Sequence, residues 1–320
     1  MFGAQRLLLS RLAHHTDKPL TLQKKMALMK VAIFGKAFSD DRFNYLQLLI
    51  NKLQTEGISM IIADEFYKFI ESKVIFGAQV STFNKQTNLA GNIDYLISVG
   101  GDGTMLHAIT YIGDTGIPVL GINLGRLGFL SGINKEDIDE AIDALIKGYF
   151  RIDKRSLIRL ETKEGLFGSY NYGLNELTVN KKDTGSMILV YVYVNNTLLN
   201  AYWGDGIIIA TPTGSTAYSL SCNGPILAPD SENFVITPIA THNLTVRPVV
   251  IPDNCEIKVK VEGRMSQFLV GLDSRYETID ATTEMIVRKE KFHINLVQRL
   301  NDNFFATIRQ KLMWGRDIRF

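Results

Sequence analysis

Asp102 owes its chemical interest to its neighbours. It sits in Gly100-Gly101-Asp102-Gly103-Thr104, directly after the apolar run Tyr95–Val99 and before the helical run Met105–Ile112. Glycines in such a turn let backbone amides approach a ligand, and a following helix offers unpaired N–H groups and a positive dipole end to an anion. The pattern is that of a phosphate site, but it matches neither the P-loop nor the GxGxxG dinucleotide fingerprint. A carboxylate placed there repels phosphate unless it holds a cation or takes a proton from an attacking hydroxyl. The alternative is that Asp102 merely caps its helix.

Two further stretches carry polar groups at strand ends. Gly121-Ile-Asn123-Leu-Gly125-Arg126-Leu-Gly128-Phe129 follows the next apolar run, where Asn123 offers an amide and Phe129 a ring for stacking or for the core. Asp205-Gly206-Ile-Ile-Ile-Ala210 runs into Thr211-Pro212-Thr213-Gly214-Ser215-Thr216-Ala217-Tyr218-Ser219-Leu-Ser221, which holds six hydroxyl residues around Gly214. Short hydrogen-bonding side chains with little bulk suit close binding of a sugar, amide or phosphate. Asn175-Glu176 places an amide and an acid on successive positions, which a regular strand would turn to opposite faces. His107 and His242 are read as packing or capping residues, and spacing alone proposes no Ser-His-Asp constellation.

The elements that must position these residues fall into two rhythms. From Lys30 to about Phe150, strand-like and helix-like patterns alternate: Phe43, Leu46, Leu49, Ile50 and Leu53 share a helical face, as do Ile138, Ala141, Ile142 and Leu145. Alternation predicts an open, Rossmann-like parallel sheet in an α/β domain over 29–149. Past Phe150, β-rich runs such as Glu176–Asn180, Ile188–Val194 and Glu256–Val261 predict an all-β, sandwich-like domain over 150–290. Residues 291–320 are expected to form a C-terminal helix packing back on the body, with Phe304, Phe305, Ile308 and Leu312 on one face.

Composition narrows the class. The chain has 320 residues, 46% hydrophobic and 21% charged, as in a globular protein. Its longest apolar run, Met187–Val194, is far short of the ~20 residues of a membrane helix. Residues 1–30 hold six Lys/Arg and one acid, so the rest is mildly acidic and shows no basic stripe for nucleic acid. Neither membrane nor nucleic acid is expected as a partner. Two cysteines without metal-ligand spacing suggest a reducing compartment, the cytoplasm, and no metal cage. Residues 1–28 read as an extension outside the fold, either a targeting segment or an upstream start before Met29.

Together these motifs resemble the NAD kinase family, whose members use ATP to phosphorylate the adenosine ribose 2′-hydroxyl of NAD. The resemblance rests on GGDGT at 100–104, NLGRLGF at 123–129, LNEL at 174–177, the stretch 205–221 followed by NGPI, and PIATHNLTVRP at 238–248. Diacylglycerol-type lipid kinases share GGDGT, and the ATPTGSTAYS segment separates them; a non-catalytic dinucleotide sensor is the other alternative. The resemblance implies Asp102 as the base, with Gly101 and Gly103 opening the turn to phosphates, Phe129 beside the adenine, and Thr104 and Asn123 also binding the nucleotides. It implies a dinucleotide pocket of Asn175, Glu176, Thr213, Thr216, Ala217, Tyr218, Ser221 and Ala240, with Asp205 at the nicotinamide end from a neighbouring subunit. A homodimer or homotetramer, NAD and ATP as substrates, and Mg²⁺ or another divalent cation carried on substrate phosphates follow by the same likeness. Asn223-Gly224-Pro225-Ile226 and Asp273-Ser274-Arg275 depart from the family's usual GGPI and DGQ.

Overall fold

The computed structural model describes residues 29–125, 128–130, 132–183, 185–264 and 266–315; the extension 1–28, Arg126 and Leu127 lie outside them. Each apolar strand of the first half is followed by a crossover long enough to return the chain in the same direction, so its neighbours pair in parallel. Strands Ser81–Phe83, Ser59–Ala63, Lys30–Gly35, Tyr95–Val99 and Val119–Asn123 lie side by side in that order, with Val31 opposite both Met60 and Tyr95. Helix Phe43–Thr55 buries Leu46, Leu49, Ile50 and Leu53, the face read from the sequence. Helix Ile138–Lys147 packs against it and stops at Gly148, which takes the left-handed conformation at φ 72°.

The far edge of this sheet comes from elsewhere in the chain. Strand Ile294–Arg299 lies parallel to Val119–Asn123 and antiparallel to Phe150–Arg155. Thus Phe150–Arg155 pairs with the first sheet rather than with the β-rich region that follows it. The segment expected to be helical over 291–320 begins with a strand, and its helix is confined to Phe304–Lys311. INLVQR has no clean period of two because Leu296, Val297 and Gln298 are all buried, three successive side chains on alternating faces of a covered sheet.

The remaining strands form two six-stranded antiparallel sheets. One runs Val249–Pro252, Asn233–Ile239, Gly206–Ala210, Glu176–Lys181, Phe268–Leu272, Arg275–Ile279; the other runs Thr197–Gly204, Ile188–Val194, Ile257–Glu262, Met285–Lys289, Ile158–Glu161, Tyr172–Gly173. Leu177, Val179, Ile207, Phe234 and Phe268 of the first meet Val190, Val192, Ile257, Val259 and Val287 of the second in one core. Among the described residues no helix is long and apolar enough to cross a membrane.

Candidate active site

Helix Asp102–Ile112 begins three residues before the helical run Met105–Ile112 read from the sequence, with Gly101 at its N-cap. Asp102 is the first residue of the helix and not its N-cap. Its carboxylate reaches the loop after Val119–Asn123, where Oδ2 accepts from Phe129 N at 2.7 Å and Oδ1 from Leu130 N at 3.1 Å. Gly128 makes this approach possible, because a Cβ there would lie 1.8 Å from Asp102 Oδ1. At Gly100, φ is +152° and a Cβ would strike the Thr104 side chain, so glycine is required on both counts. Gly101 and Gly103 face open space, with nothing within 4 Å of an added Cβ. Asn123 is buried and turned inward: its Oδ1 accepts from Gly125 N at 2.8 Å and shapes the loop that carries Phe129.

The β-rich half builds the facing wall. The chain kinks at Asn175, whose carbonyl accepts from Thr211 N at 2.8 Å, while Thr211 Oγ1 donates to Leu174 O at 2.6 Å. Gly214 passes so close that a Cβ would lie 2.1 Å from Asn175 O. The hydroxyl tract largely bonds to itself: Thr216 Oγ1 donates to Thr213 O, Ser215 Oγ to Pro212 O, and Ser219 Oγ pairs with Thr237 Oγ1. Thr213 Oγ1 accepts from Arg155 Nη1 at 3.2 Å, tying the tract to the first sheet. Tyr218, Ser221 and Ala240 are exposed, Thr216 and Ala217 half-buried, and Ala240 holds a left-handed φ of 45°. Asp205 pairs with Lys181 Nζ at 2.6 Å and its charge helps raise the Tyr218 phenol, after burial and Cys222 and Tyr276.

Asp273 organises this wall, a role the motif reading left out. It is buried at a φ of 54°, and its carboxylate accepts from the backbone N–H groups of Leu174, Asn175 and Glu176 at 2.8, 2.7 and 3.2 Å. That anchoring falls where the strand Glu176–Lys181 begins, so Asn175 lies just outside the regular strand, and both residues are buried. Asn175 Oδ1 and Glu176 Oε2 are buried without a partner in the protein. Burial, and then the neighbouring Asp273, push Glu176 up to about 8. Buried polar atoms of this kind call for a ligand or water partner.

Ser274 joins the two halves, and Arg275 ties the two β-rich sheets. Ser274 Oγ lies 2.9 Å from His107 Nε2, one turn beyond Asp102 on the same helix, and Arg275 donates to the carbonyls of Tyr170 and Tyr172. Burial first, then Lys36, Lys85 and Arg275, lower the His107 imidazole from its ordinary value. Within the DSR tripeptide it is Ser274 that clasps the two halves, while Asp273 and Arg275 hold segments of the β-rich half together. The tripeptide's position in the turn where the family usually has DGQ was the available signal, but its partners are far away in sequence.

A carboxylate gripped by a neighbouring loop at a glycine turn, together with buried Asn175 and Glu176 oxygens that lack a protein partner, is an arrangement suited to a phosphotransferase. Residues 21–150 match the ATP-NAD kinase N-terminal domain and residues 174–299 the ATP-NAD kinase C-terminal domain. The NAD kinase of Cytophaga hutchinsonii is 44% identical over 292 residues, 91% of this chain and all of that protein. Those of Flavobacterium johnsoniae and Bacteroides fragilis are 42% and 40% identical over 91% of the chain and their full lengths. Two solved structures share the fold: yeast NADH kinase complexed with NADH (TM-score 0.81, 23% identity, 92% of this chain and 90% of that one) and an Archaeoglobus fulgidus NAD kinase in complex with ATP (TM-score 0.68, 24% identity, 89% and 99%).

The chain belongs to the ATP-NAD kinase family. Its activity is ATP-dependent phosphorylation of NAD, and neither the lipid kinase nor the non-catalytic sensor is supported.

Proposed function

We propose that Asp102 is the base of this reaction, acting on the adenosine ribose 2′-hydroxyl of NAD. The observation that carries the reading is the two-amide grip of Phe129 and Leu130 on its carboxylate, which aims the group across the turn rather than along its own helix. A carboxylate is a weak base toward an alcohol, so the proton moves late, as the new P–O bond forms and the hydroxyl acidifies. The bond from the γ-phosphorus to the bridging oxygen breaks in line and ADP departs. The open space over Gly101 and Gly103 suits the donor phosphates. The unpartnered oxygens of Asn175 and Glu176, with Thr216, Ala217, Tyr218 and Ser221, suit the dinucleotide.

Among the described residues no three His, Cys, Asp or Glu side chains gather as a metal cage. A divalent cation brought in on the ATP phosphates suits an ATP-dependent kinase, with Asp102 the acidic group at the turn. When bound, such a cation neutralises charge on the phosphates. Asp205, half-buried at the end of the exposed edge strand Thr197–Gly204 beside the Trp203–His242 ring pair, fits a homodimer or homotetramer in which it reaches a neighbour's nicotinamide end. Two free thiols, Cys222 and Cys255, fit the cytoplasm.

Asp102→Asn tests the assignment. NAD binding by titration should stay within about threefold while turnover falls by roughly 10² to 10⁴, the usual contribution of a positioned acid or base. Near-normal NADP formation by this variant would sink it.

A further inference from the structure

The C-terminal helix reaches the catalytic turn by a route the motifs do not reveal. Strand Ile294–Arg299 runs parallel to Val119–Asn123, so both strands deliver their following segments to the same edge of the sheet. One delivers the loop whose Phe129 and Leu130 amides hold Asp102; the other delivers helix Phe304–Lys311. Asn303 caps that helix, accepting from Phe305 N and Ala306 N at 2.9 and 3.4 Å, and Ile308 buries its inner face. Phe129 and Gly128 share the walls of one cavity, about 860 Å³, with Arg151, Phe304, Thr307 and Gln310 of this arm. The next residue, Lys311, is half-buried at the helix end, where a cation is favoured by the dipole. Burial lowers its ammonium from the ordinary lysine value, and the Asp102 carboxylate is near enough to offset part of that effect.

A phosphate-binding turn with an acid at its centre needs fixed positive charge, because the acid and the incoming polyphosphate repel each other. We propose that Lys311 supplies it, as a donor-binding residue whose ammonium contacts the γ-phosphate of ATP in the cleft that Asp102 faces. The proposal rests on the reading of Asp102 as base. In the transfer the 2′-hydroxyl proton passes to Asp102, the ribose oxygen bonds to the γ-phosphorus, and the bond to the ADP oxygen breaks. Lys311 keeps its own proton throughout, and its charge compensates the phosphoryl oxygens.

The test compares full-length Lys311→Met and Lys311→Arg with the unaltered chain, using Mg²⁺ and ATP with NAD varied separately. A charge-assisted contact to phosphate predicts that Lys311→Met lowers kcat/KM for ATP about tenfold or more, with KM for NAD within about twofold, and that Lys311→Arg restores most of the loss. The thermal midpoint should be retained, since the side chain is only half-buried. ATP parameters unchanged within about twofold, or a loss expressed in the KM for NAD instead, would overturn the proposal. Asp102→Asn assayed in parallel separates the two assignments: a dead Asp102→Asn with an unaffected Lys311→Met removes only the lysine, whereas an active Asp102→Asn removes the base.

Discussion

The two walls of the cleft handle their acids in opposite ways. On the α/β side a single carboxylate, Asp102, projects from a glycine turn and is held by two amides of a neighbouring loop. On the β-rich side Asp273 is buried and spent entirely on backbone amides, while Glu176 is buried with an oxygen left unpartnered and its acidity suppressed. With Asp102 as the proposed base, the first arrangement aims an acid across the glycine turn. The second builds a shaped, nearly uncharged surface that donates and accepts hydrogen bonds. On the proposed assignment, one fold separates chemistry from recognition by controlling how much solvent each acid sees.

The contrast is most sharply broken at Gly128. Gly128→Ala would push a Cβ into the Asp102 carboxylate, and displacement of a reacting group by about 1 Å is expected to cost on the order of 10² in turnover with NAD affinity retained. Gly101→Ala, with nothing within 4 Å of its Cβ, should fold normally, so any rise in the KM for ATP reports donor phosphates in that space. Steady-state kinetics of the pair decide whether the loop grip on Asp102 matters. Asp273→Ala strikes the other wall. It strands three buried N–H groups, and denaturant unfolding should show a loss of about 3 kcal/mol or more.

Glu176 gives a pH signature peculiar to the recognition wall. Folded Glu176 keeps its proton up to about 8, whereas an unfolded glutamate loses it near the ordinary 4.5. The folded chain therefore binds the extra proton in that window, and this contribution to stability is full at low pH and lost as pH rises through about 8. Glu176→Gln should flatten the fall, measured by chemical denaturation on either side of the window; an unchanged slope would place the titration elsewhere. The smallest effect is expected at the clasp. Ser274→Ala removes one bond to His107 and should lower stability by about 0.5–1.5 kcal/mol with kcat nearly unchanged, by thermal unfolding and initial rates.

Much of the α/β half was legible because its signals are local. Ser59–Ala63 and Tyr95–Val99 are apolar runs bounded by turn residues, and the buried face of Phe43–Thr55 follows from the helical period. Strands such as Thr197–Gly204, Phe268–Leu272 and Ile294–Arg299 were not legible. Thr197–Gly204 is an edge strand with mixed exposure, Phe268–Leu272 carries glycine, and Ile294–Arg299 is buried on both faces, so none alternates cleanly. The same division holds for the site. Asp102 and Glu176 stood out by residue type and neighbours, whereas Asp273, Gly128 and Lys311 acquire meaning only from partners more than twenty residues away.

Residue chemistry and short-range order alone determined that this chain carries an acid in a glycine-rich turn, a hydroxyl-rich segment and two regions of different architecture. Those properties depend on covalent neighbours and on the periods of helix and strand. Whether the acid caps its helix or is gripped by a distant loop, which wall is desolvated, and which end of the chain returns to the turn were decided by packing. Such contacts are set by the sheet order and by close approach at glycines, quantities that no stretch of sequence contains by itself.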